Sequence, residues 1–207
     1  AYMELTHENF EYEVTTLWSH DITTKVEDIS KDVNVTKNTF TVYISGIDTS
    51  GPVSTVSRTD VNMLMTVNPK TKQILLTSIP RDYYVTLDNM GAKDKLTHSG
   101  LAGVENSVKT IENFMGIDIN YYARVNFTSL ITMVDALGGI TVNSPVAFYS
   151  SSGTYVQAGD NYFNGEEALA FARERYSLSG GDNDRVKNQQ RVLTAMLNKA
   201  MSPKIIT

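Results

Sequence analysis

The sequence predicts an α/β domain, arranged either as a simple α/β fold or as an α-β-α layered one. Between residues 39 and 79, apolar side chains recur at every second position, a spacing typical of β-strands. Between residues 99 and 201 they recur at helical spacing in separate stretches, and short strand-like runs lie between these stretches. Such alternation of strands and helices favours helices that pack on the faces of a sheet.

Three strands are predicted in the first part of the chain. Phe40, Val42 and Ile44 alternate with other residues until Gly46 ends the run. A second run at residues 61–67 leads through an Asn-Pro-Lys turn into a third run at residues 73–79. A turn of this composition between two strand-like runs predicts a β-hairpin.

The remainder of the chain predicts helices separated by short strands. One helix is expected between Ser99 and Met115, because its apolar residues share a face and Gly116 can end it. Asn164 can cap another helix, whose first turn carries two glutamates. The other predicted elements are a strand at residues 122–125, a helix at 127–137, a strand at 140–142 and a final helix at 182–201.

Composition limits the possible functions. The 207 residues, 41% of them hydrophobic, suffice for one globular core and a smaller appendage. Residues 1–37 are polar and acidic, and we expect an accessory-domain remnant or linker there, before a main domain at residues 38–207. The absence of cysteine excludes a disulfide framework, a thiolate zinc site and a cysteine nucleophile. A net charge of -5 without a Lys/Arg-rich run argues against nucleic acid as a partner.

Membrane attachment is expected to depend on a part of the protein outside this sequence. Its apolar runs stay well short of the ~18 residues that cross a bilayer, and no signal peptide precedes the domain. Because the chain begins at Ala1 without an initiator Met, we expect it to be a fragment, which could be the soluble part of a membrane protein.

Two carboxylates are candidates for a metal site. Asp48 follows the first predicted strand, and Asp60 precedes the second, so one loop separates them. Such a pair suits a hard cation, above all Mg²⁺ and also Mn²⁺, which completes its shell with water and phosphate oxygens. The alternative is structural: Asp48 forms an Asx-turn and Asp60 pairs with Arg58 at the start of a strand.

Four arginines are placed where a phosphate group could be held. Arg81 follows a predicted strand, Arg173 and Arg175 close a predicted helix, and Arg185 opens the next one. Planar guanidinium groups bind phosphate through two hydrogen bonds, which makes a pyrophosphate the natural ligand. The alternatives are surface ion pairs, such as Arg81 with Asp82, and favourable contacts with a helix dipole. For Arg173 and Arg175 to reach one ligand, the helix must end near Arg173.

The start of the final helix adds further candidates. Arg185 and Gln189 are four residues apart and share a face, and the free amides of a helix N-terminus also favour an anion. Asp182 and Asp184 are candidates for catalysis or for helix caps. The three histidines are scattered, and neither a G-x-S-x-G motif nor a Walker-type glycine loop is present.

Four stretches in order resemble the LytR-CpsA-Psr (LCP) family, most closely its streptococcal capsule members. They are VYISGIDTSGPVSTVSRTDVNMLMTVNP, ILLTSIPRDYYV, ARVNFTSLITMVDALGGITVNSP and FNGEEALAFARERYSLSGGDNDRVKNQQRVL, and together they cover most of residues 40–193. The resemblance implies an α-β-α layered domain with a mixed central sheet. It also implies an extracellular position at the outer face of the cytoplasmic membrane of a Gram-positive bacterium.

The resemblance also implies a reaction and a set of site residues. The family moves capsular polysaccharide, teichoic acid or a related glycan from a polyprenyl-pyrophosphate carrier, held in an apolar channel, to peptidoglycan by Mg-assisted phosphoryl transfer. Asp48 and Asp60 would be the Mg²⁺ ligands, Asp182 the candidate base, and Asp82 a residue of secondary importance. The pyrophosphate would be held by Arg58, Arg81, Arg173, Arg175, Arg185 and Gln189, of which Arg81 and Arg185 would also act in catalysis.

Two other functions are compatible with these residues. A carrier or sensor could hold the lipid pyrophosphate with the same arginines and without turnover. A transcriptional role is disfavoured, because the chain is acidic and lacks a helix-turn-helix pattern. The apolar faces of the predicted helices are expected to lie in the core, and some of their residues would line the lipid channel. These residues are Leu101, Val108, Ile111, Val134 and Leu137.

Overall fold

The computed structural model describes residues 33–201, which form two compact units divided after Phe127. The predicted accessory segment at residues 1–37 lies almost entirely outside the described residues, so its boundary stays a prediction. The mixed α/β class that the sequence predicts is confirmed, because both units combine strands and helices. Each unit has a buried apolar core of its own.

The N-terminal unit is built on a mixed sheet. The strands of this unit are β1 (Phe40–Gly46), β2 (Val61–Asn68), β3 (Gln73–Ser78), β4 (Tyr84–Thr86), β5 (Lys93–Lys95) and β6 (Tyr121–Val125). The sheet has the strand order β3-β2-β1-β6, and the predicted hairpin is confirmed as the antiparallel pair β2–β3. Strand β6 is parallel to β1, which makes the sheet mixed, and β4 pairs with β5 in a separate hairpin.

The predicted helix between Ser99 and Met115 is broken in two. A 3₁₀ helix (Leu96–Ala102) comes first, and helix α1 (Val104–Met115) follows after Gly103. Gly103 adopts φ 94°, a value that favours glycine, so the chain turns there although the apolar spacing continues across it. Gly116 ends α1 in the left-handed conformation, as predicted.

The break decides which of the apolar stripe residues are buried. Val108 and Ile111 of α1 pack in the core of the N-terminal unit with Tyr43 and Leu64 of the sheet. Leu101 is 51% exposed in the 3₁₀ helix, so its expected place in the core is wrong.

The C-terminal unit joins helices to short antiparallel strand pairs. Helix α2 (Phe127–Ala136) leads into it, and strands β7 (Ile140–Ser144) and β10 (Gly159–Phe163) form one pair. Strands β8 (Phe148–Tyr149) and β9 (Tyr155–Val156) form a second pair. Helices α3 (Gly165–Arg173) and α4 (Asp182–Ala200) follow, and the core contains Val134 and Leu137 as predicted.

Candidate functional site

Asp48 and Asp60 lie at the same end of the β1–β2 strand pair. Gly46, the last residue of β1, is paired with Val61, the first residue of β2, and the amide of Asp60 donates to the Gly46 carbonyl at 2.8 Å. The amide of Ile47 donates to the carbonyl of Val125 at 2.9 Å, which fixes the chain just before Asp48. The antiparallel register therefore places both carboxylates at one edge of the sheet.

Asp60 is paired with Arg81. The two side chains meet at 2.5 Å between Arg81 Nη1 and Asp60 Oδ1, and they are 33% and 20% exposed. Strand β3 returns alongside β2, so Arg81, which follows the end of β3, is brought back to the start of β2. The structural alternative that paired Asp60 with Arg58 is wrong, because Arg58 is exposed and Asp60 contacts Arg81 instead.

Asp82 has two cationic neighbours. Its carboxylate lies 2.7 Å from Lys95 Nζ and 3.7 Å from Arg81 Nε, and more than half of the Asp82 side chain is exposed. The hydrogen bond from Lys95 holds the pKa of the Asp82 carboxyl below its usual value. The ion pair between Arg81 and Asp82 that the sequence suggests is therefore present, and it is longer than the contact between Arg81 and Asp60.

A hydroxyl oxygen next to Asp48 is of the kind that a hard divalent cation binds. Thr49 directly follows Asp48. Its hydroxyl is buried and has no hydrogen-bond partner among the described residues. Carboxylate and hydroxyl oxygens are suitable ligands for Mg²⁺, which needs only one or two carboxylates. Between residues 33 and 201 no three His, Cys, Asp or Glu side chains converge as a metal site, so water and phosphate oxygens would complete the shell of an ion held there.

The segment that carries Arg58 and Asp60 is held against the 3₁₀ helix. The amide of Thr59 donates to the Thr97 carbonyl at 3.0 Å. A Cβ atom on Gly100 would lie 2.5 Å from the Ser57 carbonyl oxygen, so only glycine permits this approach. Sequence reasoning missed both contacts, because they join residues that are distant along the chain.

In the C-terminal unit, helix α3 ends at Arg173, as it must if Arg173 and Arg175 are to reach one ligand. Asn164 caps the helix in a reciprocal capping box with Glu167, as the sequence suggests. The helix stops at Arg173, and Glu174 is extended with φ -66° and ψ 133°. Arg175 is thus released from helical spacing, and its guanidinium carbon lies 4.6 Å from the centre of the Tyr176 ring.

Glu174, between the two arginines, is a buried carboxylate that sequence reasoning missed. Its side chain is buried, with only 2% of the residue exposed, and accepts hydrogen bonds from the amides of residues 175–177 and from Ser151. Burial raises the pKa of the Glu174 carboxyl, but these hydrogen bonds together outweigh burial and hold the pKa below its usual value. The one signal in the sequence is an acidic residue at a helix C-terminus, where the dipole disfavours negative charge.

The start of α4 brings Asp182 and Arg185 together. Asp182 Oδ1 lies 2.7 Å from Arg185 Nη2, and the Arg185 side chain is 15% exposed. The Nε atom of Arg185 is buried and has no hydrogen-bond partner within residues 33–201. A buried guanidinium donor at a helix N-terminus is suited to an anion such as a phosphate.

The cap alternatives for the two aspartates are resolved by Gly181, which occupies the N-cap position. Asp182 therefore does not cap the helix. Asp184 accepts a hydrogen bond from the amide of Gly180 at 2.9 Å, so it stabilises the turn before α4. Gln189 is half-buried one turn after Arg185, on the same helix.

Each unit thus carries one part of the predicted site: carboxylates with Arg81 in the first, and arginines around a helix end and a helix start in the second. Residues 7–207 match the LytR_cpsA_psr family. The chain belongs to this family. The LCP membership that the four sequence stretches indicated is therefore confirmed.

LCP proteins of known name and structure resemble this chain. It is 38% identical over 190 residues to the polyisoprenyl-teichoic acid–peptidoglycan teichoic acid transferase TagU of Bacillus subtilis, covering 91% of this chain and 61% of that protein. A protein of Streptococcus agalactiae superposes with a TM-score of 0.72 at 31% identity, over 82% of this chain and 63% of that one. The LCP protein YwtF (TagT), solved with bound octaprenyl pyrophosphate, superposes with a TM-score of 0.65 at 31% identity, over 85% and 73%.

These matches leave the closeness to streptococcal capsule members a prediction. The chain spans about three-fifths of the length of TagU, so the activity of a whole LCP protein is not transferred to it by similarity alone. In the described part of the chain, no helix is long and apolar enough to cross a membrane.

Proposed function

We propose that the chain is the catalytic domain of a phosphotransferase that moves an anionic glycan from a polyprenyl-pyrophosphate carrier to peptidoglycan. The proposal depends on the arginine positions in the C-terminal unit, where α3 ends at Arg173 and the buried Nε of Arg185 has no hydrogen-bond partner in the described part of the chain. Similarity to a protein solved with octaprenyl pyrophosphate supports a lipid pyrophosphate as the ligand. Similarity to TagU supports a teichoic acid as the polymer, and a capsular polysaccharide is the second candidate.

The proposed reaction replaces the phosphoanhydride bond of the carrier pyrophosphate by a phosphate ester to peptidoglycan. A sugar hydroxyl of peptidoglycan attacks the glycan-linked phosphorus, a new P–O bond forms, and the bond to the bridging oxygen breaks. The polyprenyl phosphate leaves with that oxygen, and the hydroxyl proton passes to a base. Asp182 is the candidate base, because its exposed carboxylate stands beside Arg185 and can reach solvent or an acceptor.

The arginines would stabilise the charge that develops on the phosphates. Arg81 and Arg185 each present a partly buried guanidinium group, and Arg173, Arg175, Arg58 and Gln189 would complete the shell. Donors fixed before the reaction stabilise developing charge without reorganisation. Asp48 and Asp60 would hold Mg²⁺ or Mn²⁺, which when bound neutralises charge on the transferring phosphate.

The Asp60–Arg81 contact has a consequence for this arrangement. Arg81 Nη1 donates to Asp60 Oδ1, so Arg81 would be released to contact a phosphate if Asp60 served instead as a ligand of a divalent cation. Metal and pyrophosphate should therefore bind more tightly together than separately.

The placement of the domain follows from the proposed substrates. Peptidoglycan and the polyprenyl-linked glycan meet at the outer face of the cytoplasmic membrane of a Gram-positive bacterium, so we place the domain there. An apolar channel for the polyprenyl chain is part of the proposal, because each methylene removed from water contributes roughly 0.8 kcal/mol. Mass spectrometry of lipid extracted from the purified protein tests this part directly.

Transfer itself is tested by incubating the protein with a polyprenyl-pyrophosphate-linked glycan and peptidoglycan, and measuring glycan bound to the wall polymer. Asp48→Asn and Asp60→Asn should each reduce transfer by orders of magnitude, and the double substitution should cost little more. Asp88→Asn, which changes an exposed carboxylate of the same unit, is the matched control. Chelation of divalent ions should abolish transfer by the unmodified protein.

A carrier that binds the lipid without turnover would give a different result. Its affinity for the lipid pyrophosphate should survive Asp48→Asn and Asp60→Asn through the arginines, and no glycan should reach peptidoglycan under any condition. If the protein binds the lipid but shows no detectable transfer at saturating Mg²⁺ or Mn²⁺, it is a carrier and the proposed enzyme activity is refuted.

A further inference from the structure

We propose that Glu174 is a positioning residue for the pyrophosphate site, whose buried carboxylate fixes the direction in which Arg175 leaves the chain. The inference rests on the proposed function, since it assigns Arg175 to a pyrophosphate. It adds a residue that contacts the backbone of the arginine segment and acts through it.

One oxygen of Glu174 organises the chain after α3. Its Oε1 atom accepts hydrogen bonds from three successive amides, at 3.0 Å from Arg175, 2.7 Å from Tyr176 and 2.9 Å from Ser177. Three amides that converge on one atom can do so in only a narrow range of backbone angles. The Cα atom of Arg175 and the direction of its side chain are therefore set by the carboxylate.

The other oxygen ties this segment to the β8–β9 hairpin. Glu174 Oε2 accepts a hydrogen bond from the amide of Ser151 and another, at 2.8 Å, from the Ser151 hydroxyl. Ser151 lies in the turn between the two strands. The hairpin thus acts as a fixed support against which the arginine segment is held.

The free energy of burying the Glu174 carboxylate makes the support of this segment depend strongly on its negative charge. A buried carboxylate costs several kcal/mol unless its lone pairs are satisfied, and the five hydrogen bonds satisfy them. Removal of the charge leaves amide donors without an acceptor of equal strength, which costs more than the bonds contribute. A neutral side chain of the same shape should therefore loosen the segment.

Arg175 depends on this backbone support more than Arg173 does. Arg173 belongs to the last turn of α3, where the helix itself fixes the backbone. Arg175 lies in the extended segment after the helix, and its guanidinium contacts the exposed Tyr176. Loss of the Glu174 carboxylate should hence disturb Arg175 and leave Arg173 in place.

The test measures binding of geranyl pyrophosphate, a short prenyl pyrophosphate, by isothermal titration calorimetry. Glu174→Gln should weaken binding on the order of tenfold, as expected when a bidentate guanidinium contact is lost. The loss should disappear in an Arg175→Ala background and persist in an Arg173→Ala background. Glu166→Gln, an exposed glutamate at the other end of α3, should bind as the unmodified protein does.

If Glu174→Gln does not fold, a second variant can still test the positioning role. Ser151→Ala removes only the hydroxyl contact, and it should weaken binding about two- to threefold in the same Arg175-dependent way. Amide hydrogen exchange at residues 175–177 should accelerate in Glu174→Gln, because these amides lose a strong acceptor. A smaller acceleration is expected in Ser151→Ala, where the carboxylate that accepts from them is held less firmly.

Each outcome separates this inference from the proposed function. If the unmodified protein binds geranyl pyrophosphate and Glu174→Gln binds it equally well, the positioning role is refuted and the proposed function stands. An equal loss in the Arg175→Ala background would also refute it, since Glu174 would then act through general stability. If the folded, unmodified protein does not bind the probe, the proposed pyrophosphate site fails, and the positioning role fails with it.

Discussion

Gly100→Ala should damage the carboxylate side of the site without changing any residue proposed to contact substrate. Gly100 lies in the 3₁₀ helix, directly against the segment that carries Arg58 and Asp60. A Cβ atom there would lie 2.5 Å from the Ser57 carbonyl oxygen and 3.0 Å from the Thr59 nitrogen. Both are backbone atoms, so no side-chain rotation can relieve the contact.

The magnitude follows from these distances. Ordinary contact begins at 3.4 Å, so the Ser57 oxygen must retreat by roughly 0.9 Å. Overpacking of this kind costs about 1–3 kcal/mol, and the lower unfolded-state entropy of alanine offsets about 0.4–1 kcal/mol. The midpoints of these ranges leave a net loss of about 1.3 kcal/mol, which corresponds to a decrease in Tm of roughly 3–5 °C for a domain of this size.

The same displacement should reduce the rate of transfer by more than the loss of folded protein alone can explain. A movement near 1 Å in a catalytic group can cost about 100-fold in rate, so transfer by Gly100→Ala should fall by roughly 10- to 100-fold at a temperature where it is fully folded. Circular dichroism gives the Tm, and the glycan transfer assay gives the rate. Ala102→Ser, an exposed neighbour in the same 3₁₀ helix, is the control and should change neither.

Two results would refute this reasoning. An unchanged Tm for Gly100→Ala would mean that the segment does not pack against the 3₁₀ helix as closely as described. A lowered Tm with unchanged transfer would mean that the position of Asp60 does not matter for the reaction, which would contradict its proposed role as a metal ligand.

Three further predictions concern other parts of the molecule. Gly165→Ala should lower the Tm by several degrees, because a Cβ atom there would lie 2.5 Å from the Ile131 carbonyl oxygen; an unchanged Tm in calorimetry would contradict it. Arg81→Lys should bind geranyl pyrophosphate several-fold more weakly in titration calorimetry, since a point charge replaces a planar fork, and equal affinity would remove Arg81 from the shell. Because the pKa of Glu174 is lowered in the folded state, its stabilising effect is present above the unfolded pKa of about 4.3 and is lost as the pH falls through the folded pKa. The difference in Tm between the unmodified protein and Glu174→Gln should thus shrink in acid, and a difference that is constant with pH would disprove the assignment.

Much of the fold could be predicted because local signals agreed with it. The hairpin between β2 and β3, the stop at Gly116 and the helix cap at Asn164 depend on a few neighbouring residues, and all three are present. The single helix between Ser99 and Met115 was wrong because apolar spacing continues across Gly103, although the backbone there turns at φ 94°. Spacing reports which residues are apolar and not where the chain changes direction.

The candidate site could be predicted only as a set of residues. Asp60 and Arg81 are 21 positions apart, and their contact depends on the register of a hairpin that the sequence does not specify in detail. Glu174 carried almost no signal, because its partners at Ser151 and in the following amides are brought together by tertiary structure. The roles assigned to the individual site residues, and to Mg²⁺, remain predictions that the proposed experiments test.

The parallel pairing of β1 with β6 has a consequence for folding. Asn120 Oδ1 accepts a hydrogen bond from the amide of Thr41 at the start of this pair, and the two residues are separated by 79 positions. At about 5–20 residues per second, a ribosome needs roughly 4–16 s to make that interval. Throughout this time the edge of β1 that receives β6 has no partner from the sheet, and closure must then overcome the entropy of a long loop. The nascent N-terminal unit is therefore most vulnerable to wrong strand pairing before Val125 has been synthesised, and a chaperone that covers β1 would act in that interval.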